Sequence, residues 1–173
     1  MRNLALASVL AFFLLASSAL AQEKKTAHNF ILKNLEGQQV ELEKLYGVGP
    51  IYISFWATWC KPCVEELLIM QKLYERHKDK GFLLLAINED KAKGLSKVKS
   101  FVKGKRFSFP VLLDPDGDIS RKYRVFALPY SVLLSSGGEI VYTGYGFKPG
   151  DESAVEKKIM NLLPGETESQ SPD

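Results

Sequence analysis

Cysteine is scarce in this chain, with only Cys60 and Cys63 among 173 residues. That scarcity excludes a disulfide-stapled miniprotein and a four-cysteine zinc site. Histidine is equally rare: His28 and His77 stand far apart, share no ligand spacing, and read as exposed surface residues. Charge of one sign is also lacking. The net charge is +3, from 23 Lys and Arg against 20 Asp and Glu, and the basic residues are scattered among acids. No phosphate-binding stripe results, so nucleic acid is not an expected partner. There is no internal repeat. What remains is ordinary globular usage, 46% apolar and 25% charged, which argues for one folded domain.

The start of the chain reads differently from the rest. Arg2 gives a short positive beginning, residues 4–20 carry no charge, and Ala19-Leu20-Ala21 places small residues where a signal peptidase reads them. A signal peptide over residues 1–21, cleaved before Gln22, is the expectation, and with it export to a periplasmic or other extracytoplasmic compartment. The alternative is an uncleaved anchor, since the apolar run approaches the roughly 18 residues that begin to span a bilayer; its serines and alanines make it a weak span. No cysteine follows the site, so nothing indicates a lipid anchor. The folded domain is expected over 22–165, followed by a disordered tail over 166–173 that has no core-forming residue.

Beyond residue 22 the apolar pattern alternates between short strand-like runs and helical stripes, as in an α/β sheet with helices on its faces. Phe30-Ile31-Leu32 and Gln39-Val40-Glu41-Leu42 flank Glu36-Gly37 as a hairpin. Ile51-Tyr52-Ile53-Ser54-Phe55-Trp56 is apolar, β-branched and aromatic, and too short for a globular helix, so it should be a central strand. Val64, Leu67, Leu68, Met70, Leu73 and Tyr74 form a helical stripe that ends near Lys80-Gly81. A strand over 82–87, a helix over 95–102, a strand over 110–113 and a short helix within 118–125 follow. Strands over 130–134 and 139–145 flank Ser135-Ser136-Gly137-Gly138, and a last helix from Asp151 carries Val155, Ile159, Leu162 and Leu163.

The two cysteines lie where the central strand turns into a helix. There the free backbone N–H groups and the helix dipole favour a thiolate, so Cys60 should ionise below the usual thiol value of about 8.5 and act as the attacking nucleophile. Pro62 suits the first helical turn, where its missing N–H costs nothing. Cys63, one step deeper, would be the shielded resolving thiol that attacks a mixed disulfide on Cys60 and releases the substrate. Lys61 beside Cys60 would favour the thiolate. Trp59 is a candidate for a docking rim, whereas Trp56 belongs on the strand and in the core. Three other readings compete. A structural disulfide would close a four-residue loop, worth only about 2 kcal/mol. Structural zinc lacks two ligands. A reduced pair could hold Cu(I), which makes a copper-binding metallochaperone the rival function.

These segments resemble a known family. FILKNLEGQQVELEKL, FWATWCKPCVEEL, LLLAINED and FPVLLDPDGDISRKYRVFALPYSVLLSSGGEIV are similar to the exported TlpA/ResA-like branch of the thioredoxin superfamily, over residues 27–163. The resemblance implies a thioredoxin-like central mixed sheet flanked by helices, with an N-terminal β-hairpin and an extra helix-strand insertion between Leu95 and Leu113. It implies that Pro129 is cis and shapes a substrate groove with Leu128, Trp59, Lys61 and Pro62. Thioredoxins carry a buried Asp six residues before the first cysteine, where this chain has Ser54. In the branch, a glutamate at the position of Glu66 does comparable work, as an acceptor for the Cys63 proton. The other reading of Glu66 is a solvated first-turn glutamate favoured by the helix dipole. Leu68 stands where the branch often has Pro, and Tyr130 where Thr commonly follows the cis-proline. A peroxiredoxin-type peroxidase would carry Thr three residues before the reactive cysteine, where Ala57 stands. The implied activity is thiol-disulfide exchange with no cofactor beyond the redox-active disulfide. Its partners would be client proteins with thiols or disulfides, such as apocytochromes, and a membrane electron donor, the chain itself being a monomer.

Overall fold

The computed structural model describes residues 25–165. The expected signal peptide and the expected tail lie outside the described residues. Strands β1 (Ile31–Asn34) and β2 (Gln39–Glu41) form the hairpin, and a single 3-10 turn, Leu42–Leu45, leads out of it. Then come β3 (Ile51–Trp56), α1 (Lys61–His77), β4 (Leu83–Asn88), α2 (Leu95–Lys105) and β5 (Val111–Leu113). The chain finishes with α3 (Asp118–Lys122), β6 (Tyr130–Leu134), β7 (Ile140–Tyr145) and α4 (Asp151–Met160).

The seven strands make one mixed sheet in the order β2-β1-β5-β4-β3-β6-β7. The β3, β4 and β5 strands run parallel, joined by helical crossovers, whereas β6 lies antiparallel to β3 and β7 antiparallel to β6. All six residues of β3 are buried, because the strand is central and covered on both faces. Alternation then divides the core. Ile51, Ile53 and Phe55 pack with Phe30, Leu42, Ile119 and Tyr123 on one face. Tyr52 and Trp56 pack with Leu67, Met70 and Leu73 of α1 and Val155 and Ile159 of α4 on the other. The hairpin is not an appendage: Phe30 and Leu42 are both buried.

Helix α1 ends where the sequence suggests, passing through a 3-10 turn to Gly81 at φ 97°. A Cβ on Gly81 would stand 2.6 Å from the Val48 carbonyl oxygen, so close backbone contact as well as the turn requires glycine there. His77 departs from the expectation of an exposed residue. It is buried, and its Nε2 lies 2.9 Å from Glu156 Oε1 on α4. The reason is packing: the last turn of α1 is covered by α4, which supplies a carboxylate for the imidazole.

Candidate active site

The site grows from the C-terminal end of β3. After Trp56 the chain turns through Ala57, Thr58 and Trp59, and Cys60 caps the N-terminus of α1, with Pro62 inside the first turn. Asp90, just beyond β4, holds this turn. Its carboxylate accepts the Thr58 backbone N–H and the Thr58 hydroxyl, each at 2.7 Å, and the Asn88 amide at 2.8 Å. The parallel pairing of Trp56 with Asn88 brings the two segments side by side.

Cys60 and Cys63 are joined in a disulfide with Cα atoms 5.3 Å apart. The Cys63 backbone N–H donates to Cys60 Sγ at 3.3 Å, so the outer sulfur sits at the electropositive end of α1. Cys60 keeps slight exposure, whereas Cys63 is fully buried. Around them Trp59 is 69% exposed, and Lys61 and Pro62 are exposed as well.

Pro129 reaches the same end of the molecule from the far side of the sequence. Phe55 pairs with Tyr130, so the residues just before β6 stand beyond the end of β3, beside the turn that carries the cysteines. The Leu128-Pro129 bond is cis. Pro129 is buried and its carbonyl accepts the Gly146 N–H at 2.8 Å, while Leu128 packs against the cluster that contains both cysteines. Tyr130, in the place of the more usual Thr, packs against Tyr145 with ring centroids 4.5 Å apart and the rings tilted by 42°.

Glu66 lies one turn along α1 from Cys63 and is only 1% exposed. It is not the solvated residue of the alternative reading. The Tyr52 hydroxyl donates to Oε1 at 2.7 Å and the Ser54 hydroxyl to Oε2 at 2.8 Å. Burial pushes the carboxyl up to about 7, against the lowering pull of these two donors. The same burial, with the Glu66 charge beside it, holds the Tyr52 phenol well above its ordinary value. A carboxyl poised near neutrality can take or return a proton at a buried thiol. Sequence reasoning missed Tyr52 and Asp90. A signal for the first existed: Tyr52 and Ser54 share one face of an otherwise apolar buried strand, which calls for a buried polar partner. Leu68, in the place of the branch's Pro, is 40% exposed and leaves α1 unbroken.

Known proteins match this architecture and this motif. Residues 24–143 match the AhpC/TSA family model. A thiol-disulfide oxidoreductase ResA from Bacillus thuringiensis subsp. konkukian is 37% identical over 140 residues, covering 81% of this chain and 78% of that one. Its counterpart from Bacillus subtilis is 34% identical over 145 residues, covering 84% and 78%. Among solved structures, a protein from Chlorobium tepidum assigned as thiol:disulfide interchange protein DsbE superposes with a TM-score of 0.75 at 32% identity, over 81% of this chain and 96% of that one. Sequence and architecture thus agree on a mixed α/β thioredoxin-like fold with a redox-active CxxC, and the chain belongs to the AhpC/TSA family as a thiol-disulfide oxidoreductase of the ResA-like kind.

Proposed function

We propose that this oxidoreductase works outside the cytoplasm as a reductase of client disulfides, with Cys60 as nucleophile, Cys63 as resolving thiol and Glu66 as the group that manages the Cys63 proton. In the reduced protein the Cys60 thiolate attacks one sulfur of a client disulfide. The client S–S bond breaks, a mixed disulfide forms on Cys60, and the departing client thiolate takes a proton. Cys63 then gives its proton to Glu66 and attacks Cys60 Sγ. The second client thiolate leaves, the Cys60–Cys63 disulfide closes, and two electrons have passed to the client. A membrane donor that reduces this disulfide would complete the cycle. The clients would be thiol-bearing proteins, apocytochromes among them.

The observation that carries the division of roles is the asymmetry of the pair. Cys60 is the sulfur that reaches the surface, beside exposed Trp59, and Cys63 is sealed beside a buried carboxyl. Export is supported by the charged start and apolar run at the head of the sequence. No helix among the described residues is long and apolar enough to cross a membrane. The copper-carrier alternative finds no support among the named relatives, which are thiol-disulfide oxidoreductases.

The test of direction is the equilibrium reduction potential, read by thiol alkylation in glutathione or dithiothreitol buffers. A value near that of thioredoxin, about −270 mV, is expected; one near about −120 mV would make the protein an oxidant and overturn the reductase reading. The roles are tested by trapping. Cys63→Ala should accumulate mixed disulfides with client proteins and Cys60→Ala should not, and the reverse pattern would exchange the two assignments.

A further inference from the structure

Glu66 is sealed from water beneath α1, yet a carboxyl that trades protons with Cys63 must also equilibrate with solvent. The direct way out past Cys60 is narrow even in the free protein, with Cys60 6% exposed and Cys63 fully buried, and a docked client would close it. The sheet offers another way. Sheet registers place Ser54, Ser131 and Gly144 in one row across β3, β6 and β7, and Tyr52, Leu133 and Tyr142 in the row beside it. Beyond its bond to Glu66, the Tyr52 phenol has the Ser131 hydroxyl near enough to favour its ionised form. A Cβ on Gly144 would collide with the Tyr142 hydroxyl and stand 3.1 Å from Ser131 Oγ, so the two hydroxyls border the same small space, which glycine leaves to them. Tyr142 is half-buried, and its phenol is held above its ordinary value by burial, by Asp151 and by Glu66. The Lys158 ammonium of α4 sits 5.7 Å from the Tyr142 ring centroid. The route therefore ends between β7 and α4, on an edge of the sheet, at a tyrosine with a carboxylate and an ammonium beside it.

We propose that Tyr52, Ser131 and Tyr142 form a hydroxyl route that carries protons between Glu66 and solvent at the β7 edge, so that Glu66 exchanges protons while a client covers the cysteines. This inference rests on the reading of Glu66 as the proton acceptor for Cys63. In the inward direction a solvent proton joins Tyr142 Oη as the Tyr142 proton passes to Ser131 Oγ. The Ser131 proton passes to Tyr52 Oη and the Tyr52 proton to Glu66 Oε1. One proton enters, the carboxylate becomes a carboxyl, each hydroxyl ends neutral, and no electron moves. The Tyr52 hydroxyl already donates this way; the outward direction needs the hydroxyls to turn. The charged and titratable groups around the route are Cys63 and Glu66 on α1, Tyr52 on β3, Tyr142 on β7, and Asp151 and Lys158 on α4.

The test is the rate at which Glu66 changes protonation in the oxidised full chain after a rapid pH jump across neutrality, followed by its carboxyl infrared band. Ser131→Ala and Tyr142→Phe remove hydroxyls from the route. Tyr74→Phe, on α1 but packed against Phe82 and Phe109, is the control. Each route variant should slow the relaxation on the order of tenfold, with its midpoint pH unchanged, and the control should not. Unchanged rates in both route variants, or a shifted midpoint with an unchanged rate, would overturn the route. Glu66→Gln separates the two failures. If it abolishes the band and slows disulfide exchange while the route variants relax normally, the route fails and the role of Glu66 stands. If it leaves disulfide exchange unaltered, the reading beneath the route fails as well.

Discussion

At the scale of single residues, Ser54 carries the most information. It occupies the strand position at which thioredoxins hold a buried acid, and here its hydroxyl donates to the carboxylate of Glu66. The acid has moved from strand to helix, and the strand contributes donors. The position of Glu66 was legible in the sequence, but its Tyr52 partner was not, because that bond joins β3 to α1 and no local pattern specifies which side chains meet across two layers. The raised carboxyl has a consequence for stability. Glu66 moves from 4.5 to about 7 on folding, so between those values the folded chain holds a proton that the unfolded chain has lost. Its contribution is full below pH 4.5 and is lost as pH rises to about 7, by about 3 kcal/mol. Urea unfolding of the oxidised protein between these limits should show that decline. Glu66→Gln should flatten it to the smaller slope left by Glu89, whose carboxyl burial also pushes up to about 7 but which is only partly buried. Equal slopes in both proteins would mean that Glu66 is not held protonated by the fold.

At the scale of elements, the strands that position the site were the most legible. The observed bounds of β3 and β6 coincide with those read from short apolar runs between turn signals. The helix bounds were less legible, as in α2, which continues past its apolar stripe through the exposed residues 103–105. Asp90 lay outside the reading because its partners come from a different loop. It fastens that loop to the turn before α1, and Asp90→Ala would leave the Thr58 N–H and the Asn88 amide without their acceptor. A loss of about 2 kcal/mol is expected in urea unfolding, together with slower attack by Cys60 on a small disulfide, as the turn loses its anchor. The junction of α1 with α4 behaves differently. Glu156 is shared by buried His77 and by Arg76, at 2.9 and 3.0 Å. Glu156→Ala should cost about 1–2 kcal/mol in the same unfolding measurement while leaving the reduction potential unaltered, because the contact lies at the opposite end of α1 from the cysteines.

At the scale of the whole molecule, the N-terminal hairpin extends the sheet on the side away from β7, pairing β1 with β5. It also seals one face of the core with Phe30 and Leu42. Each fully buried side chain of that size contributes about 1.5–3 kcal/mol, a large share of the about 5–15 kcal/mol that holds a typical domain together. A chain beginning at residue 50 should therefore show no cooperative thermal transition by circular dichroism; a cooperative melt like that of the full chain would make the hairpin dispensable. The pairing of Phe55 with Tyr130 sets an order of events in time. Strand β3, the cysteines and α1 are contiguous and can organise locally, whereas the wall supplied by Pro129 must wait for β6 to close across a long stretch of intervening chain. A half-made or partly unfolded chain therefore displays its two sulfurs before Pro129 and β6 stand beside them. The immature protein is in this sense a less shielded reagent than the finished one, and the compartment in which it folds must tolerate that interval.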